Sequence, residues 1–334
     1  MGYGNQTQIP GKIGREKMDI TALKKWENEL NVCIRCGYCY EHCHLFKSFH
    51  WESDTPRGKL LLTYGLLTGE LQPSTYIAEK IFECFYCKNC EKSCSAKVPV
   101  TDILTTVRES LFSAGFDVDG VSAKVIEDLC SGCGICILDC KAKAISFKQT
   151  DDKKQADVDK IKCQGCGICI SACPSDAITQ REGFGVSPQE LLSRVTDFLD
   201  GKQSDTSPKV ITFCCNWSVY PELQFSILPE KAEMPSPIVI TMCTGRIAPE
   251  LILQAFDRGV WGVLIAACPI GECEHDGNYI ALKRILLLKQ MLQQFNIDSE
   301  RVRLEWVASG ESAKLRNAMN EFHGKLAKLG PIGG

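Results

Sequence analysis

The sequence predicts a multidomain protein: an all-helical unit, then a small α+β unit, then an open α/β sheet. Three observations predict it. One cysteine pattern occurs four times, at 33, 36, 39 and 43; at 84, 87, 90 and 94; at 130, 133, 136 and 140; and at 163, 166, 169 and 173. The first two copies lie in helical sequence, and the last two are flanked by short strand-like pieces. From Lys209 onward, short apolar runs alternate with long amphipathic stretches, the signature of a mostly parallel sheet with helical crossovers. The boundaries are expected at 1–117, 118–185 and 186–334.

Composition agrees with several packed units. The 334 residues, of which 44% are hydrophobic and 24% charged, suit two to three domains of about 150 residues. Lys and Arg total 38 against 41 Asp and Glu, a net charge of −3. That balance gives no attraction toward nucleic acid or an anionic membrane. Met1 to Lys17 has no apolar signal-peptide core. The most apolar stretches, Gly259 to Gly271 and Arg284 to Leu292, are shorter than the roughly 20 residues of a membrane span. No direct membrane insertion is expected. The 21 cysteines form an odd number in a chain too long to depend on disulfides, so a reducing, cytoplasmic setting is expected.

The repeat has a mechanical meaning. Each copy reads C-x2-C-x2-C-x3-C. Three thiolates at intervals of three wrap a tight loop around a cubane iron–sulfur cluster. The fourth cysteine closes the site or reaches a neighbouring cluster. A tetrahedral zinc site would be overfilled by this run. Metal ligands are therefore expected at Cys33, Cys36, Cys39, Cys43, Cys84, Cys87, Cys90, Cys94, Cys130, Cys133, Cys136, Cys140, Cys163, Cys166, Cys169 and Cys173, for four [4Fe–4S] clusters.

In the helical unit, Leu23, Trp26 and Leu30 make an i, i+3, i+7 stripe after Asp19 as N-cap. Thr55-Pro56 starts a second helix and Ser74 to Phe82 forms a third. Thr101 to Phe112 forms a fourth, capped by Thr101 or Asp102. His42 and His44 flank Cys43, where roles behind the ligands or at the surface suit them better than ligation. Two motifs set on helices about this far apart, with TPRGK at 55 to 59, resemble the α-helical ferredoxin that forms the C subunit of heterodisulfide reductase. Arg57 is read either as solvated charge at a helix start or as a cation near a cluster.

In the α+β unit, CSGCGICILDCKAKAISF and CQGCGICISACPSDAITQ match closely. Strands are expected at Lys124 to Ile126, Ala144 to Lys148, Ala156 to Val158 and Ala177 to Gln180, with a solvated hairpin loop at Thr150 to Lys154. This resembles the bacterial two-cluster ferredoxin, in which the fourth cysteine of each motif serves the other cluster. The family's proline is present as Pro174 and replaced by Lys141, which allows a looser turn.

The last unit begins with an amphipathic helix, Ser187 to Asp200, and a linker, Gly201 to Pro208. Strands are expected at Val210 to Phe213, Ile238 to Met242, Val263 to Ala267 and Val302 to Trp306. Helices are expected at Ala248 to Asp257, Tyr279 to Phe295 and Ser312 to Leu329. Cys214, Cys215, Cys243, Cys268 and Cys273 all fall at strand ends or just beyond, where open α/β sheets place ligands. They are read as a metal site. The motifs CCNW at 214 to 217, MCTGR at 242 to 246, CPIGEC at 268 to 273, GN at 277 and 278, and RLEWV at 303 to 307 resemble the delta subunit of methyl-viologen-reducing hydrogenase. The resemblance implies one [2Fe–2S] cluster on Cys215, Cys243, Cys268 and Cys273. Ser218 stands where the family has a further cysteine, and Cys214 is the available substitute. Arg246 is read as a cluster-tuning cation or as a helix-start residue paired with Glu250.

No phosphate loop, dinucleotide motif or nucleophile–base arrangement is present. Clusters with all-cysteine ligation serve electron transfer by default. The resemblances imply an iron–sulfur subunit between two partners. One is a flavoprotein like the A subunit of heterodisulfide reductase, and the other is a hydrogenase, formate dehydrogenase or other reductase. A stand-alone disulfide or small-substrate reductase and a redox sensor are the alternatives.

Overall fold

The computed structural model describes residues 18–150, 153–183, 187–200, 207–216, 236–308 and 310–332. Among these, no helix is long and apolar enough to cross a membrane.

The first part is helical. The Leu23, Trp26, Leu30 stripe faces inward, but the chain breaks at Lys25 and Trp26 into Thr21–Lys24 and Glu27–Val32. The Trp26 indole N–H donates to Thr106 at 2.9 Å. Helix α1 (Pro56–Thr68) starts as the sequence predicts, with Thr55 accepting from the Gly58 N–H, and stops at left-handed Gly69. Ser74 caps α2 (Thr75–Phe82). Helix α3 (Val100–Ser113) departs from expectation. Its N-cap is Pro99, and neither Thr101 nor Asp102 caps it. The Glu91 carboxylate instead accepts from the Thr101 N–H at 2.6 Å and its hydroxyl at 2.7 Å. An acceptor from outside the helix thus satisfies a first-turn donor. Leu23, Leu30, Leu60, Ile77, Ile81, Leu104, Val107 and Leu111 share the core, each burial contributing about 1.5–3 kcal/mol.

The middle part has two antiparallel ribbons. Strand β1 (Ala123–Val125) pairs with β4 (Ile178–Gln180), and β2 (Ile145–Gln149) pairs with β3 (Lys154–Val158). The Thr150 N–H donates to the Lys153 carbonyl at 2.9 Å at the expected hairpin; residues 151 and 152 lie outside the described set.

The last part is a four-stranded parallel sheet, β5 (Val210–Cys215), β6 (Ile238–Thr241), β7 (Gly262–Ala267) and β8 (Val302–Trp306), in the order β6-β5-β7-β8. Every residue of β5 and β7 is buried, as expected for strands covered on both faces. Helices α4 (Pro188–Asp200), α5 (Pro249–Asp257) and α6 (Gly277–Gln294) pack on one face through Ile211, Phe213, Val263 and Ile265. Helix α7 (Ser312–Leu329) covers the other through Val210, Cys214, Leu264 and Ala266.

The three parts interlock through buried and half-buried polar groups. Arg108 of α3 donates to the carbonyls of Phe82 at 3.0 Å, Cys84 at 2.7 Å and Cys163 at 3.4 Å. The Asn89 amide reaches the Asn216 carbonyl at 3.3 Å. Arg284 of α6 reaches Ser171 Oγ and the Gly245 carbonyl, both at 2.7 Å.

Candidate metal centres

The four cysteine loops share one backbone. In each, the residue before the second cysteine and the residue after it are left-handed: Arg35 and Gly37, Tyr86 and Lys88, Gly132 and Gly134, Gly165 and Gly167. Such alternation turns backbone N–H groups into an anion-binding concavity. Glycine adopts it freely, whereas Arg35, Tyr86 and Lys88 do so at a cost of about 1–2 kcal/mol each. Backbone N–H groups also point at sulfur: Ala123 to Cys163 Sγ at 3.5 Å, Ala144 to Cys140 at 3.3 Å, Ala156 to Cys130 at 3.5 Å, and Ala177 to Cys173 at 3.2 Å. Donors of this kind favour thiolate, the form that binds iron. The turn at Lys141 is no looser than its proline counterpart, since the Lys143 N–H closes on the Cys140 carbonyl at 3.0 Å.

The side chains group across motifs. Cys163, Cys166 and Cys169 line one cavity with Cys140 of the preceding motif. Burial pushes the Cys136 thiol up to about 11, helped by the charges of Cys133, Cys173 and Cys130. The same exchange occurs in the helical part, where Cys43 lines a cavity with Cys84, Cys87 and Cys90. Cys94 packs in a core that holds Cys33 and Cys39 as well as Cys84 and Cys90.

Cations stand beside these loops. The Arg57 guanidinium makes a two-pronged pair with Glu52, at 2.6 and 2.9 Å, and donates to the Arg35 carbonyl at 3.1 Å. It lies 5.2 Å from the Tyr40 ring centroid, so this helix-start residue does abut the first cysteine loop. Lys59 was not singled out by the sequence. It is buried in α1 and donates to the Asp54 carbonyl at 2.6 Å. Burial lowers its pKa, opposed by the charges of Cys84 and Cys43. A lysine inside the apolar run that follows Gly58 was the available signal. His44 is buried edge-on to Phe85, with ring centroids 5.9 Å apart.

Four of the five C-terminal cysteines converge. Cys215 Sγ and Cys268 Sγ are 3.4 Å apart. Cys243, Cys273 and His275 place their donor atoms within 4.8 Å of one another. Thiolates around one metal at 2.3 Å, set tetrahedrally, stand roughly 3.7 Å apart, so the set suits metal. Hydrogen bonds from Cys243, Cys268 and His275 hold the Cys273 thiol far below its usual range; the bond with Cys273 holds Cys243 up, and bonds with Cys215 and then Cys273 hold Cys268 up. A Cβ on Gly277 would collide with Cys243 Sγ. Asn278 clamps the preceding loop through the carbonyls of Cys268 at 3.3 Å and Pro269 at 2.7 Å. His275 was missed; the C-x-H spacing after Cys273 was its signal.

Cys214 is a correction. Side chains alternate along a strand, so Cys214 and Cys215 face opposite ways, and Cys214 lies in the apolar layer beneath α7. It does not join the other four thiols. Trp217 and Ser218 lie outside the described residues.

The C-terminal thiols touch both other parts. Cys87 packs against Cys215 and Cys268. His275 lines the cavity of Cys140, Cys163, Cys166 and Cys169, and the Cys166 charge reaches Cys243. Arg246 sits at this junction. Its Nη2 donates to Gln180 Oε1 at 2.9 Å, and among the described residues no ion pair joins it to Glu250, the alternative read from sequence.

Residues 210–330 match the family model described as methyl-viologen-reducing hydrogenase, delta subunit. An F420-non-reducing hydrogenase vhc iron-sulfur subunit of Methanococcus voltae is 40% identical over 126 residues, 37% of this chain and 88% of that protein. The chain belongs to this delta-subunit family. An F420-non-reducing hydrogenase iron-sulfur subunit of Archaeoglobus profundus is 36% identical over 127 residues, 37% of this chain and 93% of that protein. Beyond the delta-subunit region, residues 29–98 and 129–177 each match a 4Fe-4S dicluster domain. This delta-subunit relative is therefore joined to two [4Fe–4S] domains. It is also 35% identical over 230 residues, 68% of this chain, to the A subunit of a ferredoxin/F(420)H(2)-dependent CoB-CoM heterodisulfide reductase of Methanosarcina acetivorans; the match covers 28% of that protein.

Proposed function

We propose that this chain is an iron–sulfur electron-transfer subunit within a hydrogenase or heterodisulfide reductase complex. In this reading it relays electrons between a flavin-containing heterodisulfide-reductase-type subunit and a second oxidoreductase, a hydrogenase or formate dehydrogenase. The parts are 1–117, an α-helical ferredoxin; 118–185, a bacterial-type ferredoxin; and 186–334, the delta-subunit domain. Four [4Fe–4S] clusters and one [2Fe–2S] cluster would each take up and release one electron at a time. The protein's part is to hold the thiolates, exclude water and fix the order of the centres.

Five thiol sets are involved: Cys33, Cys36, Cys39 and Cys94; Cys43, Cys84, Cys87 and Cys90; Cys215, Cys243, Cys268 and Cys273; Cys140, Cys163, Cys166 and Cys169; and Cys130, Cys133, Cys136 and Cys173. The observation that carries the reading is the contact of the third set with the second, through Cys87, together with His275, which hydrogen-bonds Cys273 and lines the cavity of the fourth. The two outermost sets meet solvent at Cys36 and Cys133. Apolar side chains surround both: Ile34 and Tyr38 at one, Ile135 and Leu138 at the other. Exposed apolar side chains around an exposed ligand suit docking of a redox partner.

Purification under anoxic conditions tests this. About 18 iron atoms per chain, signals of reduced clusters, and co-purifying flavin and hydrogenase or dehydrogenase subunits are expected. A colourless chain, or turnover of a disulfide by the isolated chain, would overturn it.

A further inference from the structure

Arg246 occupies the joint between two thiol sets in a way that ordinary packing does not require. The residue is 5% exposed. Its Nη2 is held by Gln180, and its Nη1, equally out of solvent, has no hydrogen-bond partner among the described residues. The guanidinium lies directly on the loop between Cys166 and Cys169. A Cβ built on Gly167 would stand 2.5 Å from Arg246 Cζ, so a side chain there would push the guanidinium away. Three residues before Arg246, Cys243 belongs to the C-terminal set. The carboxylate whose charge reaches it, Glu190, is engaged by the backbone N–H groups of Gly183 at 2.7 Å and Ser187 at 2.9 Å.

A guanidinium is charged at any pH a protein survives. A buried cation without a carboxylate partner is unfavourable unless other negative charge accompanies it. The thiolates of the two sets beside it supply that charge, and a cluster held by either set would gain one more negative charge on reduction. We propose that Arg246 is a shared counter-cation that raises the reduction potential of two centres together. One is held by Cys140, Cys163, Cys166 and Cys169, and the other by Cys215, Cys243, Cys268 and Cys273. The inference rests on the electron-transfer reading above and deepens it, making Arg246 a positioning residue for charge at the joint of the relay.

The test is a reductive titration of the full chain under anoxic conditions, followed by electron paramagnetic resonance, in wild type, Arg246→Met and Arg246→Lys. In Arg246→Met, two reduction steps should move to lower potential and three should stay. A tenfold loss in the reduction equilibrium corresponds to about 59 mV for a one-electron step. Arg246→Lys, which keeps the charge, should recover most of the shift. Potentials that ignore residue 246 would overturn the inference, and so would a lysine variant as displaced as the methionine one. A loaded wild type with unmoved variants overturns this inference alone, whereas a wild type without clusters overturns the electron-transfer reading beneath it.

Discussion

Arg108 Nη1 reaches the Cys163 carbonyl at 3.4 Å, from a helix of the first part to a cysteine loop of the second. The same guanidinium holds the carbonyls of Phe82 and Cys84 and lies 4.2 Å from the Tyr86 ring centroid. One buried cation thus fixes two cysteine loops against each other. Replacing Arg108 by Leu leaves these carbonyls buried without donors and should cost about 3 kcal/mol. Anoxic thermal unfolding measures this, and an unchanged melting temperature would contradict the role.

Cys43 belongs to the first motif by sequence and to the second site by position. Cys43→Ser and Cys84→Ser should therefore damage the same site, and the double variant should lose no more iron than either single one. Cys43→Ser combined with Cys36→Ser should lose about twice as much, since the two act on separate sites. Iron content per chain reads this directly; the reverse order, with the Cys43 and Cys84 pair losing about twice as much, would refute the exchange.

Cys214 and Cys215 are adjacent yet should behave oppositely. Cys214→Ala should keep full iron content and lower stability by about 1 kcal/mol, the cost of a small buried gap. Cys215→Ala should remove the C-terminal centre and leave the other four intact. A spectrum altered by Cys214→Ala would return that residue to the ligand set.

Burial pushes the thiols of Cys87 and Cys166 up to about 12 and those of Cys39 and Cys136 up to about 11, from a usual 9.0. A group whose folded pKa is raised contributes stability below its unfolded value and loses it as pH climbs toward the folded one. The iron-free chain should therefore lose stability from about pH 9 upward. The loaded chain should not follow this course, because its cysteines are already deprotonated by the metal. Denaturant unfolding of the iron-free chain between pH 7 and 11 gives the slope, and a flat profile would oppose the burial argument.

Much of this was legible in the sequence. The four loops are local features, set by spacing, and the strands and helices of the last part follow from apolar runs and periodicity. The region's thiol convergence was legible too, because parallel strands end on one side. What escaped depends on contacts distant in sequence. The cap of α3 comes from Glu91, outside the helix. Lys59 and Arg108 read as ordinary helical cations until the carbonyls and thiols around them are in view. Cys214 shares its neighbour's position in the pattern, and only the alternation of the strand separates them. The exchange of Cys43 between motifs depends on how two loops meet, which spacing alone does not fix.

The thiols that come last along the chain stand between the earlier ones in space. A ribosome would finish both flanks before it released the segment that bridges them. Loading of the flanking sites can precede completion of the bridge, and charge has no passage from one flank to the other through that bridge until the C-terminal sheet has closed. The joint that touches both flanks, through Cys87 and through His275, is thus the last to be completed.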